Sequence, residues 1–485
     1  MTDFTNMTQP RRDANSEFRG GTRSAGMLGE INRASLSMLA STGILDSEVC
    51  ARLAAAMQEI DTRMASAQAS PDAAAAAASS DYLDYEQRLE ALAGPEASLL
   101  HLGRSRQDIA ATISRMNLRL DALSAHRLLL EARGEFVALA ARHVHTPVPT
   151  FTHGMQAQPT TFAHYLLAFA DAFGRQLLRI ERAYDTINRC PLGAAAVTTS
   201  SFPVDRALLA DLLGFDGLIE NAYDANHIGS VDSCLELAAA MAGCAVQISQ
   251  FAQDLHAICS AARPWISLEG ASLVGRSSLM PQKRNPAALE QLRAQSALLL
   301  SESQAPYYLA HNVRTGMFDY RAYDPLARRR QEDLFRLLTQ VVQGLRVDAH
   351  AARLEIDGEF STLTELADRL YQIGKVPFRA GHEFSSNLAE LARREGATLK
   401  DFGQPRIASL YMETYAKPFP LSERECAECF DADLMIARRR GRGGPQAEEV
   451  NRMLNASRAD LGARADWQRA QAQRIESASA RLQHR

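Results

Sequence analysis

One short segment, the loop Gly275–Pro286, combines residue types that could act together on a carboxylated substrate. It begins with a glycine, contains two prolines, and brings the hydroxyl of Ser277, the cation of Lys283 and the amide of Asn285 close together in sequence. Removing a weakly acidic proton next to a carboxylate requires positive charge and hydrogen-bond donors where negative charge develops. A nearby lysine also makes a serine oxyanion less costly, which a serine acting as a base requires. From residue types alone, a solvated surface loop is still the commoner explanation of this pattern.

The composition bounds the size and the class of the protein. At 485 residues the chain is too long for one compact core, so we expect two to four structural units. The hydrophobic share of 46% and the charged share of 23% are ordinary for a globular protein. A net charge of −4 gives no electrostatic reason to expect binding to nucleic acid or to an anionic membrane.

The cysteines and the apolar segments indicate where the protein works. Seven widely scattered cysteines are an odd number, which favours reduced thiols and a cytoplasmic location over a disulfide framework. The pair Cys426 and Cys429 is a lone C-x-x-C, and a zinc site normally needs four ligands, so we predict no metal. The first 27 residues lack an apolar signal segment, and the apolar stretch Leu235–Ile248 is too short to span a bilayer. We therefore expect a soluble protein without a membrane partner.

The spacing of apolar residues predicts an all-α fold. Asp46 is a candidate N-cap, and the apolar residues after it recur at helical spacing. From Ile109 to Leu130 the apolar steps alternate between three and four residues, which is typical of a helix-bundle seam. Segments 162–189, 231–262 and 287–316 show similarly long helical patterns. Alternating patterns typical of strands are scarce.

Four units follow from the changes in pattern along the chain. We predict a flexible arm at 1–27, an N-terminal helical domain at 28–108, a central helix bundle at 109–362 and a C-terminal helical domain at 363–485. The N-terminal domain contains a low-complexity insert, residues 64–80, that is rich in alanine. The basic run 437–444 resembles an RNA-binding RGG tract, but a helix end stopped by glycines is the better explanation.

The loop also resembles the signature G-S-x-x-M-x-x-K-x-N of the fumarase/aspartase superfamily. Ser277, Met280, Lys283 and Asn285 match the signature in register, whereas Arg276 stands where the family has glycine. Further segments resemble argininosuccinate lyase in the same order along nearly the whole chain: His101–Asp108, Pro149–Pro159, Pro191–Gly193, Phe202–Arg206, Leu213–Asn221, Val376–His382 and Ala437–Gly444.

The resemblance implies a fold, an assembly and a set of roles. The fold is a long central helix bundle flanked by two smaller helical domains, and the protein is a homotetramer whose active sites combine segments from three subunits. Ser277 is the general base, and His153 assists the leaving group. The other implied site residues bind substrate: Thr152, Lys283, Asn285, Ser105, Arg106 and Gln107. β-Elimination by this family needs no metal and no organic cofactor.

Several departures from the family pattern concern the substrate. Gln107 replaces an asparagine, and Met155 replaces a glutamine. His227–Ser230 stands where the family has S-D-R-D, so two acids and an arginine are absent. The family segment that contacts the arginine part of argininosuccinate is replaced by Phe318–Leu326, in which either Tyr320 or Tyr323 takes the tyrosine position. Asn32 and Ser35 also differ from the serine and histidine that the family carries near the start.

The sequence therefore predicts a carbon–nitrogen lyase that cleaves an N-substituted aspartate to fumarate and an amine, or catalyses the reverse addition. Two alternatives stay open. One is argininosuccinate lyase itself, and the other is a non-catalytic structural member of the family, comparable to the lens δ-crystallins.

Overall fold

The computed structural model describes residues 21–68, 82–317 and 326–483. Helices make up 71% of it, and the sheets in the described part have two strands each. The predicted all-α class is therefore confirmed.

The N-terminal unit consists of helices α1 (Gly21–Ser41), α2 (Ser47–Gln68) and α3 (Tyr82–Ala93), followed by a 3-10 helix (Gly94–His101). Their apolar faces meet in one cluster, in which Ile31 and Leu53 are fully buried. The predicted cap of α2 is confirmed, because Asp46 Oδ1 accepts the backbone N–H groups of Glu48 at 3.0 Å and of Val49 at 2.9 Å.

The prediction of the flexible arm needs correction, and the prediction of the low-complexity insert stays open. The flexible arm was predicted to reach residue 27, but α1 already begins at Gly21 and buries Met27. Arg23, which lies within the predicted arm, forms an ion pair with Asp121 at 3.0 Å. The beginning of the low-complexity insert continues α2 to Gln68, and the remaining part of it lies outside the described residues, as does the arm before Gly21.

The central bundle follows. In chain order its elements are α4 (Arg106–Arg142), strands β1 (Pro147–Thr152) and β2 (Met155–Thr161), α5 (Phe162–Ile187), α6 (Arg206–Leu212), a π-helical turn (Asp224–Ile228), α7 (Gly229–Cys259), strands β3 (Ile266–Leu268), β4 (Gly275–Arg276) and β5 (Arg284–Asn285), α8 (Ala287–Ala310), α9 (Leu326–Gly344) and strand β6 (Leu345–Val347). The seam predicted from Ile109 lies in α4, where Ile109, Ile113 and Met116 are buried.

Polar contacts fix the direction of the long helices. At one end of the bundle, called here the first end, Arg115 of α4 donates to the carbonyl oxygens of Thr186 at the end of α5 and of Gly229 at the start of α7. At the opposite, second end, Tyr165 of early α5 donates to Asp254 of late α7 at 3.2 Å. Helices α4 and α7 therefore run from the first end to the second, and α5 runs back.

The expectation that no apolar stretch is long enough to span a bilayer was wrong on length. The continuous helix Asp224–Cys259 has 36 residues and is apolar enough, by length and composition, to cross a membrane. Its side chains Ile248, Phe251 and Leu255 are fully buried in the bundle core, as expected for the central helix of a helical bundle. In the single chain about half of the most apolar 18-residue stretch of this helix stays uncovered, since 44% of that stretch is buried.

The C-terminal unit contains α10 (Ala349–Gly358), α11 (Leu363–Gln372), α12 (Phe378–Glu395), α13 (Leu399–Tyr415), α14 (Glu423–Glu428) and α15 (Ala432–Ala437). Its apolar cluster begins at Phe360, close to the predicted boundary. The last helix, α16 (Ala447–Gln483), lies inside the predicted C-terminal unit but packs along α4 and α5. The domain boundaries themselves stay predictions.

The basic run 437–444 is a helix end, as predicted. Helix α15 ends at Ala437, and Arg438 pairs with Glu365 at 3.3 Å. Arg439 pairs with Glu365 and Asp368, each at 3.3 Å. These two arginines therefore hold the end of α15 against α11.

Candidate active site

The loop with the predicted base is closed at its neck by a short hairpin. Strand β4 pairs with β5, so that Gly275 lies opposite Asn285 and Arg276 lies opposite Arg284. Inside the loop, Ser277 Oγ accepts the backbone N–H groups of Leu279 at 3.3 Å and of Met280 at 2.9 Å. Donors aimed at a hydroxyl oxygen stabilise negative charge on it, which is what a serine base needs when it loses its proton.

The cation of the loop lies just before its return strand β5, and the amide lies on that strand. The backbone N–H of Lys283 donates to Met280 O at 3.1 Å, which closes the second turn of the loop. Its ammonium group is exposed and forms no ion pair with any described residue, whereas Asn285 is half-buried at the neck. A free ammonium group and an amide beside a serine hydroxyl suit a substrate that carries a carboxylate.

Thr152 and His153 lie at the tip of the β1–β2 hairpin. Thr152 pairs with Met155, so His153 and Gly154 form a two-residue turn with φ values of 54° and 77°. Positive φ at both positions is typical of a type I′ turn, and glycine tolerates it without strain. The side chains of Thr152 and His153 are exposed in the single chain, which leaves them available to a substrate or to another subunit.

Side-chain amides of the second strand, β2, anchor this hairpin to the C-terminal unit. Gln156 Nε2 donates to Glu355 O at 3.2 Å and to Ser361 Oγ. Gln158 Nε2 donates to Thr364 Oγ1 at 3.1 Å. The strand that follows the hairpin tip is therefore held against the C-terminal unit.

Ser105, Arg106 and Gln107 begin helix α4 at the first end of the bundle. Ser105 is the N-cap, because its Oγ accepts Gln107 N at 3.2 Å, and Arg106 is exposed. Gln107 Nε2 donates to Asn226 O of the π-helical turn at 3.4 Å. Capping is a structural role that explains a serine at this position without any substrate.

Asp108, the next residue of α4, is a buried carboxyl group that the sequence patterns did not single out. It is fully buried, its Oδ1 accepts Ser105 N at 2.8 Å, and its Oδ2 accepts Gly193 N at 2.9 Å and Ala195 N at 3.0 Å. Burial raises the pKa of Asp108 to about 7, against the lowering effect of these N–H donors. The only signal for it was its place at the end of the quoted motif His101–Asp108.

The structure places the predicted site residues at two opposite ends of the bundle. Thr152, His153 and the Ser277 loop follow the ends of α4 and α7, so they lie at the second end of the bundle. Ser105–Gln107 lies at the first end. Helix α4 has 37 residues, which at about 1.5 Å per residue separates the two groups by roughly 55 Å. One chain alone therefore cannot bring all of them to one substrate.

Two further predictions concern the substrate-contacting tyrosine and the absence of a metal. Tyr320 and Tyr323 lie outside the described residues, which stop at Met317 and resume at Leu326. Among the described residues there is no group of three His, Cys, Asp or Glu side chains that could hold a metal ion.

Comparisons with known proteins place these observations in a family. A family model described as a lyase matches residues 29–299. Argininosuccinate lyase 1 of Shouchella clausii (strain KSM-K16) is 31% identical over 432 residues, which cover 88% of this chain and 85% of that protein. The crystal structure of EDDS lyase in complex with formate has a TM-score of 0.85 and 26% identity, and covers 95% of this chain and 91% of that one. A variant of EDDS lyase with bound fumarate matches equally. The chain therefore belongs to the fumarase/aspartase superfamily, in its argininosuccinate lyase-like branch, and is a carbon–nitrogen lyase.

Proposed function

We propose that this enzyme cleaves an N-substituted aspartate by β-elimination to fumarate and an amine, or adds an amine to fumarate. The observation that carries this proposal is the loop Gly275–Pro286, in which two backbone N–H groups point at Ser277 Oγ. The similar proteins support the substrate class, because argininosuccinate lyase and EDDS lyase both act on N-substituted aspartates.

In the proposed reaction Ser277 takes the proton from the carbon next to the substrate carboxylate. Lys283, Asn285 and Thr152 bind the carboxylates, so that the negative charge that develops there is stabilised. His153 assists the departing amine, and its exposed place at the hairpin tip suits proton transfer. The elimination requires no metal and no organic cofactor.

The partner in this reaction is an amine that we propose to differ from arginine. Gln107 and Met155 depart from the family pattern on the substrate side, and His227–Ser230 lacks the acids and the arginine found there. A site built to hydrogen-bond a guanidinium loses much of its affinity when those partners are replaced. Argininosuccinate itself remains the second candidate substrate, because the similar curated protein is an argininosuccinate lyase.

We also propose a homotetramer whose active sites are shared between subunits. The separation of Ser105–Gln107 from Ser277 by the length of the bundle supports this, since a shared site joins opposite ends of different chains. The uncovered faces of α7 and α8 support it as well, because each carries an uncharged seam with alternating steps of three and four residues. The two seams consist of Ala239, Gly243, Val246, Gln250, Gln253 and Ala257 on α7, and Gln291, Ala294, Leu298, Ser301, Ala305 and Tyr308 on α8.

The location that we propose is the cytoplasm or another reducing compartment. All seven cysteines are free thiols, and Cys190, Cys244, Cys426 and Cys429 are buried. Burial raises the pKa of each of these four thiols to about 12, which makes them poorly reactive.

A substrate screen tests the proposed reaction. Purified enzyme is incubated with argininosuccinate and with a panel of N-substituted aspartates, and the release of fumarate is followed by its absorbance. The reverse direction is screened with fumarate and a panel of amines. We expect turnover in at least one arm. If neither direction gives turnover while the tetramer is intact, the reaction is wrong and a non-catalytic structural role gains support.

Replacing the predicted base tests the mechanism. We expect Ser277→Ala to lower kcat about 10²- to 10⁴-fold, because general-base catalysis contributes about that much. Ser278→Ala is the matched control, since it removes the adjacent exposed hydroxyl, and it should keep kcat within a few-fold. Equal activity of both variants would show that Ser277 is not the base. Size-exclusion chromatography of each variant checks that the oligomer is unchanged.

A further inference from the structure

The hairpin that carries His153 is irregular on its second strand. Pro149 of β1 pairs with Pro159 of β2. Two residues further along β1, Phe151 pairs with Gln156, which lies three residues back along β2. Strand β2 therefore has one residue more than β1 over this stretch. An extra residue of this kind, a β-bulge, bends the strand that carries it and often re-aims a side chain next to an active site.

Gln156 begins the irregular stretch, and its side chain leaves the hairpin for the C-terminal unit. Its Nε2 donates to Glu355 O of α10 at 3.2 Å and to the hydroxyl of Ser361. Ser361 is buried at the junction of α10 and α11. The residue before it, Phe360, has a φ of 59° and belongs to the apolar cluster of the C-terminal unit. A residue only three positions after His153 is thus bonded to the core side of another unit.

Helix α10, which supplies one of these acceptors, is itself bonded to the rest of the C-terminal unit. Arg353 pairs with Asp433 of α15 at 2.5 Å. Asp357 pairs with Lys400 of α13 at 2.7 Å. Ala352 and Ile356, on the same helix, are fully buried. The contact of Gln156 therefore transmits the position of the C-terminal unit to the hairpin.

We propose that Gln156 is a positioning residue, which places His153 against the leaving amine by fixing β2 to the C-terminal unit. This inference rests on the proposed C–N lyase reaction and on the role proposed there for His153. The imidazole is exposed at the tip, so its place depends on the backbone of the turn and of the strand that follows. Proton transfer requires the two groups within hydrogen-bond reach, and a misplacement of about 1 Å can cost about 10²-fold in rate.

A double-mutant cycle with His153 tests this inference. Fumarate release is followed in single turnovers with excess enzyme, so that slow variants stay measurable, using argininosuccinate and the best N-substituted aspartate of the screen described above. We expect Gln156→Ala to lower the single-turnover rate constant about 10- to 100-fold in the native background. In a His153→Ala background the same substitution should cost at most about threefold, because the group that it positions is gone. A purely structural role would give the same factor in both backgrounds.

Variants of the acceptor keep the test sharp if Gln156→Ala folds poorly. Ser361→Ala removes the buried hydroxyl and should reproduce the loss, whereas Ser361→Thr keeps a hydroxyl and should restore most of the rate. Gln58→Ala, which removes an exposed glutamine on α2, is the matched control and should stay within about twofold of the native rate.

Two results would overturn the role of Gln156. One is an equal loss in both backgrounds, and the other is a native rate constant in folded Gln156→Ala. The proposed reaction has a separate failure, because the native enzyme itself would then release no fumarate from any of these substrates.

Discussion

Gly103 is the position at which a single methyl group should disturb the start of α4 most directly. It has a φ of 74°, which alanine adopts only at a cost of about 1–2 kcal/mol. A Cβ at this position would lie 2.4 Å from Val204 Cγ2 and 3.3 Å from Ser200 Oγ. Overpacking of this kind typically costs about 1–3 kcal/mol. We therefore expect Gly103→Ala to lower the free energy of unfolding by about 2–5 kcal/mol.

The same substitution should also reduce activity, because Gly103 lies two residues before Ser105, where the segment that we propose to bind substrate begins. Relief of the contact with Val204 displaces the loop 199–204 or the segment before Ser105. We expect a fall in kcat/KM that is larger than any change in an equally destabilised variant remote from the site. Urea unfolding at one fixed protein concentration gives the stability, and fumarate release gives kcat/KM.

Two further variants separate the causes. Gly462→Ala adds a Cβ to an exposed position in helix α16 that has no atom within 4 Å, so it should raise stability by about 0.5–1 kcal/mol. In the double variant Gly103→Ala with Val204→Ala the steric part of the cost should disappear and the backbone part should remain. If Gly103→Ala is as stable as the native enzyme while Gly462→Ala behaves as expected, the structural argument for this glycine fails.

Two other predictions concern the pKa of the half-buried His101 and the turn at the hairpin tip. Burial and the charges of Arg104 and Arg106 lower the pKa of His101 to about 4, and its Nδ1 is 2.6 Å from Tyr82 Oη. The unfolded chain binds a proton at His101 more tightly than the folded chain, so the free energy of unfolding falls as the pH falls from about 6.5 to about 4. His101→Asn should lose less of this free energy over the same pH range, as measured by urea titrations. The same pH dependence in the variant and in the native enzyme would contradict this prediction. At the hairpin tip, Gly154→Leu should lower kcat by displacing His153, because leucine disfavours the positive φ of this position. Gly154→Asn should retain most of the native kcat, because asparagine tolerates positive φ. Equal kcat values for the two variants would show that the turn does not position His153.

Much of this protein is predictable from short-range patterns. The helical spacing in α4 and α5, the cap at Asp46 and the helix end at Ala437 all depend on residues within one or two turns of each other. The loop Gly275–Pro286 belongs to the same group, because the family signature that it matches is a run of consecutive residues. Such features are set by local backbone and side-chain preferences, which a sequence displays directly.

Other features depend on contacts between distant parts of the chain. The two carboxylate oxygens of Asp108 join the start of α4 to backbone groups more than eighty residues away, and no local pattern indicates that. Arg23 was assigned to a flexible arm because its partner, Asp121, lies on another helix. The π-helical turn that holds His227 likewise exists because Gln107 and the loop at Ala195 pack against it.

The sequence by itself determined the reaction class, because the loop matches the family signature in register and further segments match the same family in order along nearly the whole chain. Only the tertiary structure decided how those groups relate to Ser105–Gln107, because the length of α4 places the two sets at opposite ends of the bundle. The physical reason is that residue types specify which bonds a group can make, whereas the packing of long helices specifies which groups can reach the same substrate.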